Sequence, residues 1–328
     1  MKAIVITRPG GPEVLEIHEL STPEPLGDQI RVRVRACALN RADLMQCRGY
    51  YPAPKGAPAA IPGLEYAGEV DALGPNCVGP WKLGDRVFGI VAGGGQAEYL
   101  VTHERMAVAI PPALDFEQAA AVPEVFYTAL DALETQARLR PGESALIHAV
   151  GSGIGTAAVQ LAHAMGCLTF GTSRSPAKLR LAAELGLDVG IETTSEDFAG
   201  IILKHTSDVG VNVVLDLIGA PVLADNLRAL ALCGRIVVVG LLGGGAGAID
   251  FQPLLAKRAT IVGTTLRARP LEEKIAVTQR FSTRVVPWLQ NGRVRPIIDR
   301  VFPFDAVRKA QERMESNLGF GKIVLRVG

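Results

Sequence analysis

Cysteine is scarce in this chain and badly spaced for cross-linking. The 328 residues include five, Cys37, Cys47, Cys77, Cys167 and Cys233, an odd count with no Cys-x-x-Cys pair. That excludes a disulfide framework and a cysteine-built structural zinc, and it fits buried thiols in a reducing compartment. The five histidines are scattered without pairing. An excess of one charge is lacking too. Thirty-four Lys and Arg face 33 Asp and Glu, for a formal net charge of +1, and the basic residues do not cluster. No field pulls in nucleic acid or a membrane surface. Long hydrophobic runs are also missing. The most apolar stretch, Arg235 to Leu242, meets a glycine-rich loop before reaching membrane-spanning length. The opening Met1–Arg8 reads as a short strand, too short for a signal-peptide core. A soluble, cytoplasmic protein without nucleic-acid or membrane partners is expected. The 48% hydrophobic content is enough for a sizeable core, in one large or two ordinary domains.

The most informative segment is Ser144-Ala-Leu-Ile-His-Ala-Val-Gly-Ser-Gly-Ile-Gly-Thr156. An apolar run ends in Gly151, Ser152, Gly153, Ile154 and Gly155, and an apolar helical pattern follows at once. This reads as strand, glycine turn and helix start, where the backbone approaches a pyrophosphate closely and free N–H groups attract its charge. A glycine cluster alone also fits a plain tight turn. The next strand-like run, Leu168–Thr172, adds context. In an NAD site an Asp or Glu at the end of this strand accepts from the ribose 2′-OH. Here Ser173, Arg174 and Lys178 stand instead. A carboxylate would repel a 2′-phosphate, whereas Arg174 and Lys178 would attract it, so NADPH is expected over NADH. The alternative is that both are ordinary solvated charges at a helix start. His148, inside the first strand, reads as a satisfied core histidine.

Two rhythms divide the chain. Residues 1 to about 121 are β-rich, with Ile30–Arg35 alternating apolar and charged residues as a half-buried antiparallel strand does. Tyr66–Val70 and Arg86–Ile90 are further short strands, and Pro- and Gly-rich clusters separate them, suggesting a barrel or sandwich. From about residue 122, strands and helices alternate. Strands are expected at 145–150, 168–172, 189–191, 211–218, 235–240 and 260–266, and helices at 154–165, 176–185, 198–205 and 221–230. Six strands joined by helices predict an α/β fold with a doubly wound parallel Rossmann sheet. One helix is expected over 271–291. The strands 301–304 and 322–325 look like returns to the first domain, which is then discontinuous: 1–121 with 267–328, around a dinucleotide-binding domain at 122–266.

Several segments carry a family resemblance over essentially the whole chain. They are Arg8-Pro-Gly-Gly-Pro-Glu13, Ala38-Leu-Asn-Arg-Ala-Asp-Leu-Met-Gln46, Pro62-Gly-Leu-Glu-Tyr-Ala-Gly68, Gly93-Gly-Gly-Gln-Ala-Glu-Tyr99, Ala119-Ala-Ala-Val-Pro-Glu124 and Gly319-Phe-Gly-Lys-Ile-Val324. The chain resembles the medium-chain dehydrogenase/reductase superfamily, in particular its zinc-free quinone oxidoreductases, and within them the tumour-suppressor-inducible subgroup. The resemblance implies that the β-rich domain is a GroES-like catalytic domain. Zinc alcohol dehydrogenases of the superfamily bind metal through a Cys where this chain has Asn40 and through a Gly-His-Glu motif that reads Gly63-Leu64-Glu65 here. Leucine cannot ligate zinc and asparagine ligates it poorly, so no metal is expected. Without a Lewis acid, reduction of an undemanding electrophile such as a quinone is the expected chemistry.

The resemblance also assigns residues. Asn40 orients substrate or the nicotinamide amide, or else caps the turn that follows it. Tyr51, in a proline-rich loop, is placed over the active site, where its hydroxyl could reach a quinone oxygen; the alternative is a loop aromatic packed on the surface. Thr128 matches the residue beside the nicotinamide, and Asn317 and Lys322 match a C-terminal cofactor contact. Relatives carry a tyrosine near the adenine ribose where this chain has about Thr193. Glu65 and Asp43 read as structural hydrogen-bond partners. From position alone, Gly240 and Leu241 end a sheet strand on the ligand side, the alternative being a flexible loop, while Leu266 and Arg267 follow the sixth strand and are expected to close the site. That strand would form an open sheet edge, which predicts a homodimer. The expected function is an NADPH-dependent quinone oxidoreductase with a small-molecule quinone as partner. An enoyl or enone reductase and a non-catalytic NADPH-binding regulator are the alternatives.

Overall fold

The computed structural model describes residues Met1 to Gly328, which divide into Met1–Tyr127 with Leu266–Gly328, and Thr128–Thr265. The first unit begins with β1 (Lys2–Ile6), β2 (Leu15–Glu19), β3 (Gln29–Leu39), helix α1 (Arg41–Cys47), β4 (Glu65–Leu73), β5 (Arg86–Ile90), β6 (Tyr99–His103), β7 (Val108–Ala109) and α2 (Phe116–Ala120). The boundary falls inside α3 (Pro123–Leu130). Strand β3 is the spine of this unit. Its first half buries Ile30, Val32 and Val34 and exposes Arg33, while Ala36–Leu39 are buried on both faces. The strand therefore outruns the alternating segment Ile30–Arg35 by four residues, because an uncharged run can continue where both faces are covered.

The second unit is an α/β layer structure. After a π-helical segment (Asp131–Gln136) come β8 (Ser144–Ile147), α4 (Gly153–Ala164), β9 (Leu168–Ser173), α5 (Pro176–Ala183), β10 (Val189–Glu192), α6 (Phe198–His205), β11 (Val211–Asp216), α7 (Leu223–Ala229), β12 (Leu230–Val238), α8 (Phe251–Ala256) and β13 (Thr260–Gly263). All six strands run parallel in the order β10-β9-β8-β11-β12-β13. The direction of winding reverses between β8 and β11, the switch point at whose carboxyl side such sheets take ligands. Leu146, Phe170, Ile191, Val214 and Ile236 fill the core on one face. Several boundaries differ from the sequence pattern, among them those of β8, β12 and β13. Strand β8 stops at Ile147, just before Ala149 turns to φ +52°. Strand β12 starts at Leu230, with a register shift in its pairing to β11. Strand β13 ends at Gly263 rather than Leu266.

The chain then returns through α9 (Leu271–Arg284), α10 (Val286–Gln290), β14 (Ile298–Pro303), α11 (Val307–Glu315) and β15 (Lys322–Arg326). The single helix expected over 271–291 is broken at Val285, because Pro287 has no N–H to continue the ladder. Strand β15 pairs antiparallel with β3, from Ile323 opposite Leu39 to Arg326 opposite Ala36. This closes a seven-stranded sheet, β14-β15-β3-β4-β5-β7, with β6 on the other half of the β3 edge. The return places Lys322 directly beside the end of β3 and the start of α1.

Candidate functional site

The glycine turn of the second unit is shaped by three contacts. Ser152 is the N-cap of α4, its Oγ accepting from the Gly155 N–H at 3.0 Å. Its carbonyl accepts from Thr156 N–H. The amides of Gly153 and Ile154 are left open, which is how a helix start receives an anion. A side chain at Gly155 would strike the Ala149 carbonyl, so only glycine lets α4 lie this close to the strand. At Gly151 a Cβ would come within 2.6 Å of Lys178 Cδ. The lysine stem therefore lies across Gly151, which brings Lys178 to the glycine turn. At the end of β9, Ser173 Oγ accepts from Ser175 N–H (3.1 Å) and Ser173 carbonyl accepts from Thr193 N–H (3.1 Å). Arg174 beside it is exposed and its guanidinium has no partner in the chain. No Asp or Glu directly follows β9 in the chain, although Glu192 on β10 pairs across from Ser173. Gly240 and Leu241 follow β12. The amides of Leu242 and Gly243 donate to the carbonyls of Leu217 (3.1 Å) and Ile218 (2.8 Å), and Leu241 is exposed. Thr128 is buried on α3, with its hydroxyl unpaired.

In the first unit, Asn40, Glu65 and Lys322 form one buried cluster. Lys322 Nζ donates to Leu39 carbonyl (2.6 Å) and Asn40 Oδ1 (2.6 Å), and it lies 2.8 Å from Glu65 Oε1. Asn40 Nδ2 donates to the same Glu65 oxygen at 2.8 Å. The other Glu65 oxygen accepts from Glu124 N–H at 2.8 Å. Lys322 Nζ is thus engaged within the chain by two hydrogen bonds and the Glu65 carboxylate beside it. Asn40 likewise has its carbonyl and its amide engaged. Asp43, fully buried on α1, accepts from Asn40 N–H (2.8 Å) and Gly63 N–H (3.0 Å). Burial pushes its carboxyl up to about 6, although both hydrogen bonds oppose the rise.

Arg267 organises the proline-rich loop. Its Nε donates to Ala92 carbonyl (2.8 Å), Nη1 to Tyr51 carbonyl (3.1 Å) and Nη2 to Gln46 Oε1 (2.5 Å). Its guanidinium carbon lies 5.1 Å from the centre of the Tyr51 ring. Gln46 Nε2 in turn donates to Ala59 carbonyl at 2.9 Å, so both ends of the loop are tied to α1. Tyr51 is half-buried, and burial raises its phenol above the ordinary value. Its hydroxyl has no partner in the chain. Leu266 is buried next to Arg267. Asn317 lies at the end of α11 in the left-handed region and accepts from Arg41 Nη2 at 2.6 Å. The structure thus joins Asn40 to Lys322, Tyr51 to Arg267 and Lys178 to Gly151, and it gives Asn317 to Arg41.

Glu124 and Gln46 are the residues that sequence reasoning passed over. Glu124 is partly exposed, yet its carboxyl has no hydrogen-bond partner. The surrounding protein and then the Glu65 charge push it up to about 8, against Lys322 and Arg267. The signal for Glu124 was an acid directly after Pro123 in an otherwise apolar run. Gln46 stands in the quoted Asn40–Gln46 segment, but nothing local marks it as the partner of a residue 221 positions away.

Residues 27–112 match the family model of the alcohol dehydrogenase GroES-like domain, and residues 153–285 match that of the zinc-binding dehydrogenase. Quinone oxidoreductase of Rattus norvegicus is 31% identical over 330 residues, covering 99% of this chain and 97% of that protein. The crystal structure of an NAD-dependent alcohol dehydrogenase superposes with a TM-score of 0.90 at 31% identity, over 100% of both chains. That of CurK enoyl reductase gives 0.88 at 27% identity, over 100% of this chain and 99% of the other. The zinc in the family model's description finds no matching donor set here. No group of three or more His, Cys, Asp or Glu side chains is placed to hold a metal ion, Leu64 is buried and apolar, and Asn40 is saturated. The whole-length relatives, the two matched domains and the 3-2-1-4-5-6 order of the parallel sheet agree: the chain belongs to the medium-chain dehydrogenase/reductase superfamily of nicotinamide-dependent oxidoreductases.

Proposed function

We propose that this protein is a zinc-independent NADPH:quinone oxidoreductase. The observation that carries the reading is the make-up of the Asn40–Glu65–Lys322 cluster. An internally neutralised ion pair and a saturated amide offer no Lewis acid to a substrate oxygen, so the acceptor must take a hydride without one. A quinone fits, because hydride addition yields a delocalised, weakly basic phenolate. When bound, the reduced nicotinamide supplies that hydride. The chain's own work is binding and orientation. The open amides in the Gly151–Gly155 turn take the pyrophosphate, and Ser173, Arg174 and Lys178 take the 2′-phosphate. Thr128, Gly240 and Leu241 border the nicotinamide. Tyr51 donates from its free hydroxyl to the quinone oxygen, and Arg267, backed by Leu266, fixes the loop that carries it. Asn40 and Lys322 are positioning residues that hold Glu65, and Asn317 anchors Arg41.

A second reading, reduction of an enone or enoyl thioester, is favoured by the likeness to CurK enoyl reductase. It uses the same hydride donor on a conjugated double bond. The test is cofactor oxidation by purified protein with a panel of quinones and enones, with NADPH and NADH in parallel and a metal chelator present. Turnover of quinones with NADPH supports the proposal. Saturated products from enones alone favour the second reading. Saturable NADPH binding without turnover overturns both and leaves a cofactor-binding regulator.

We also propose a cytoplasmic homodimer. Its supports are five free cysteines, an unpaired outer edge on β13, and exposed Phe251 and Leu255 on the preceding helix. No helix is long and apolar enough to cross a membrane.

A further inference from the structure

A buried polar chain crosses the switch point of the parallel sheet. His148, just past β8, has one ring nitrogen, Nδ1, 2.8 Å from Thr172 Oγ1 on β9 and the other, Nε2, 2.7 Å from Asn226 Oδ1 on α7. Asn226 Nδ2 donates to Asp216 Oδ2 at 3.2 Å, at the end of β11. The second Asp216 oxygen accepts from the N–H groups of Ile218 (2.7 Å) and Gly219 (2.9 Å). All four side chains are at most 3% exposed. The directions of the bonds follow from this arrangement. Since the Asn226 amide nitrogen faces the Asp216 carboxylate, its oxygen faces His148 and must receive a proton from Nε2. Nδ1 is then the acceptor for the Thr172 hydroxyl. Burial lowers the imidazole's proton affinity, which keeps this neutral tautomer. The edge of Phe198, 5.2 Å away at 84°, holds the ring in plane.

The network's two ends lie where a dinucleotide is recognised in such sheets. Thr172 precedes Ser173 and Arg174. Gly219, held by Asp216, is bridged to Gly244 in the loop after β12. We propose that Thr172, His148, Asn226 and Asp216 form a positioning device for the cofactor. By locking the carboxyl ends of β9, β8 and β11 to one another, it fixes the distance between the ribose-recognising strand end and the Ile218–Gly219 turn. None of the four touches the cofactor; they act through the backbone they hold. The inference needs only that the second unit binds a nicotinamide dinucleotide, not that the acceptor is a quinone.

The test uses Thr172→Val, which removes one hydroxyl and keeps the shape, with His148→Leu and His148→Gln. The last of these keeps a side-chain donor toward Asn226. Dissociation constants of NADPH and NADH are read by fluorescence titration, alongside KM and kcat for the cofactor and the melting temperature. We expect Thr172→Val and His148→Leu to weaken the better-bound dinucleotide by about 5- to 30-fold, through KM with kcat nearly unchanged. His148→Gln should recover part of the loss. Variants that melt earlier but bind the dinucleotide as the wild type does would falsify the positioning role and leave a fold-supporting network. If His148→Leu does not fold, Thr172→Val still decides. Failure of the wild type to bind either dinucleotide would instead remove the cofactor premise.

Discussion

The Lys322 ammonium lies 2.8 Å from Glu65 Oε1 with both side chains almost sealed from solvent, at 4% and 0% exposure. The pair joins β15 to the start of β4, and Asn40 bridges the two. Removing one member of such a pair leaves a buried charge without compensation. Lys322→Met is expected to cost roughly 3–5 kcal/mol of unfolding free energy. Glu65→Gln should also be costly, because the amide turns a donor toward Lys322 or toward the Glu124 N–H. The double variant should lose clearly less than the two singles added together. Denaturant titrations of the four proteins measure this. Additive losses would mean that the two side chains do not depend on each other.

The basic end of β9 makes a prediction about cofactor choice. Charge-assisted hydrogen bonds are each worth about 1.5–3 kcal/mol. Arg174→Ala or Lys178→Ala should therefore lower kcat/KM with NADPH by roughly 10- to 100-fold. The NADH value should move by less than about threefold, since no 2′-phosphate is lost. Steady-state kinetics with both cofactors and one quinone separate the two. Equal losses with both dinucleotides would show that these residues bind the shared part of the cofactor.

Much of this architecture could be read from the sequence, for physical reasons that differ by element. The parallel sheet was legible because each strand is a short apolar run between glycine signals, as at Ser144–Gly155. The glycine turn was legible because the open amides follow from local chain geometry alone. Lys322 was not. Resemblance assigned it to the cofactor, but its ammonium donates to Leu39 and Asn40 and pairs with Glu65, and the Asn40 contact spans 282 residues. No periodicity reports such a pairing. The His148 chain was legible only as a buried histidine, since its partners come from three other elements. The early start of β12 depends on a register shift against β11, which hydrophobicity does not encode.

Glu124 gives a pH dependence. Its carboxyl, ordinarily near 4.5, is raised to about 8 by the surrounding protein and Glu65. A raised acid binds its proton more tightly in the folded state than in the unfolded one. Its contribution to stability is thus complete below about 4.5 and is lost as pH rises through about 8. Asp43 adds a similar loss as pH rises through about 6. Glu124→Gln cannot ionise, so its stability should fall less between pH about 6 and 9 than that of the wild type. Denaturation midpoints across that range check this, and parallel curves for the two proteins would rule out a proton-bearing Glu124.

The outer edge of β13 bears on assembly. Phe251 and Leu255 on α8 are 59% and 74% exposed, on the helix that precedes a strand with one unpaired side. An open strand edge and exposed apolar side chains on the helix that leads into it favour a second copy. Leu255→Asp with Phe251→Asp should convert a dimer to a monomer in sedimentation experiments while leaving cofactor binding intact. A wild type that is already monomeric at micromolar concentration would end this reading.

On the proposed reading, Tyr51 acts on the substrate side of the reaction. Its hydroxyl has no partner in the chain, so Tyr51→Phe removes nothing that holds the fold together, and the melting temperature should not change. Donation from the hydroxyl strengthens as negative charge develops on the quinone oxygen, which is an interaction made mainly in the transition state. Tyr51→Phe should therefore lower kcat and kcat/KM together, by about 10- to 100-fold. Arg267→Met acts differently. It frees the carbonyls of Ala92 and Tyr51 and releases Gln46, so the loop loosens and KM for the quinone should rise along with a loss of stability. The contrast between the two variants distinguishes chemistry from loop placement. If Tyr51→Phe costs less than about threefold, the phenolate takes its proton from water and the ring serves only as the surface on which Arg267 stacks.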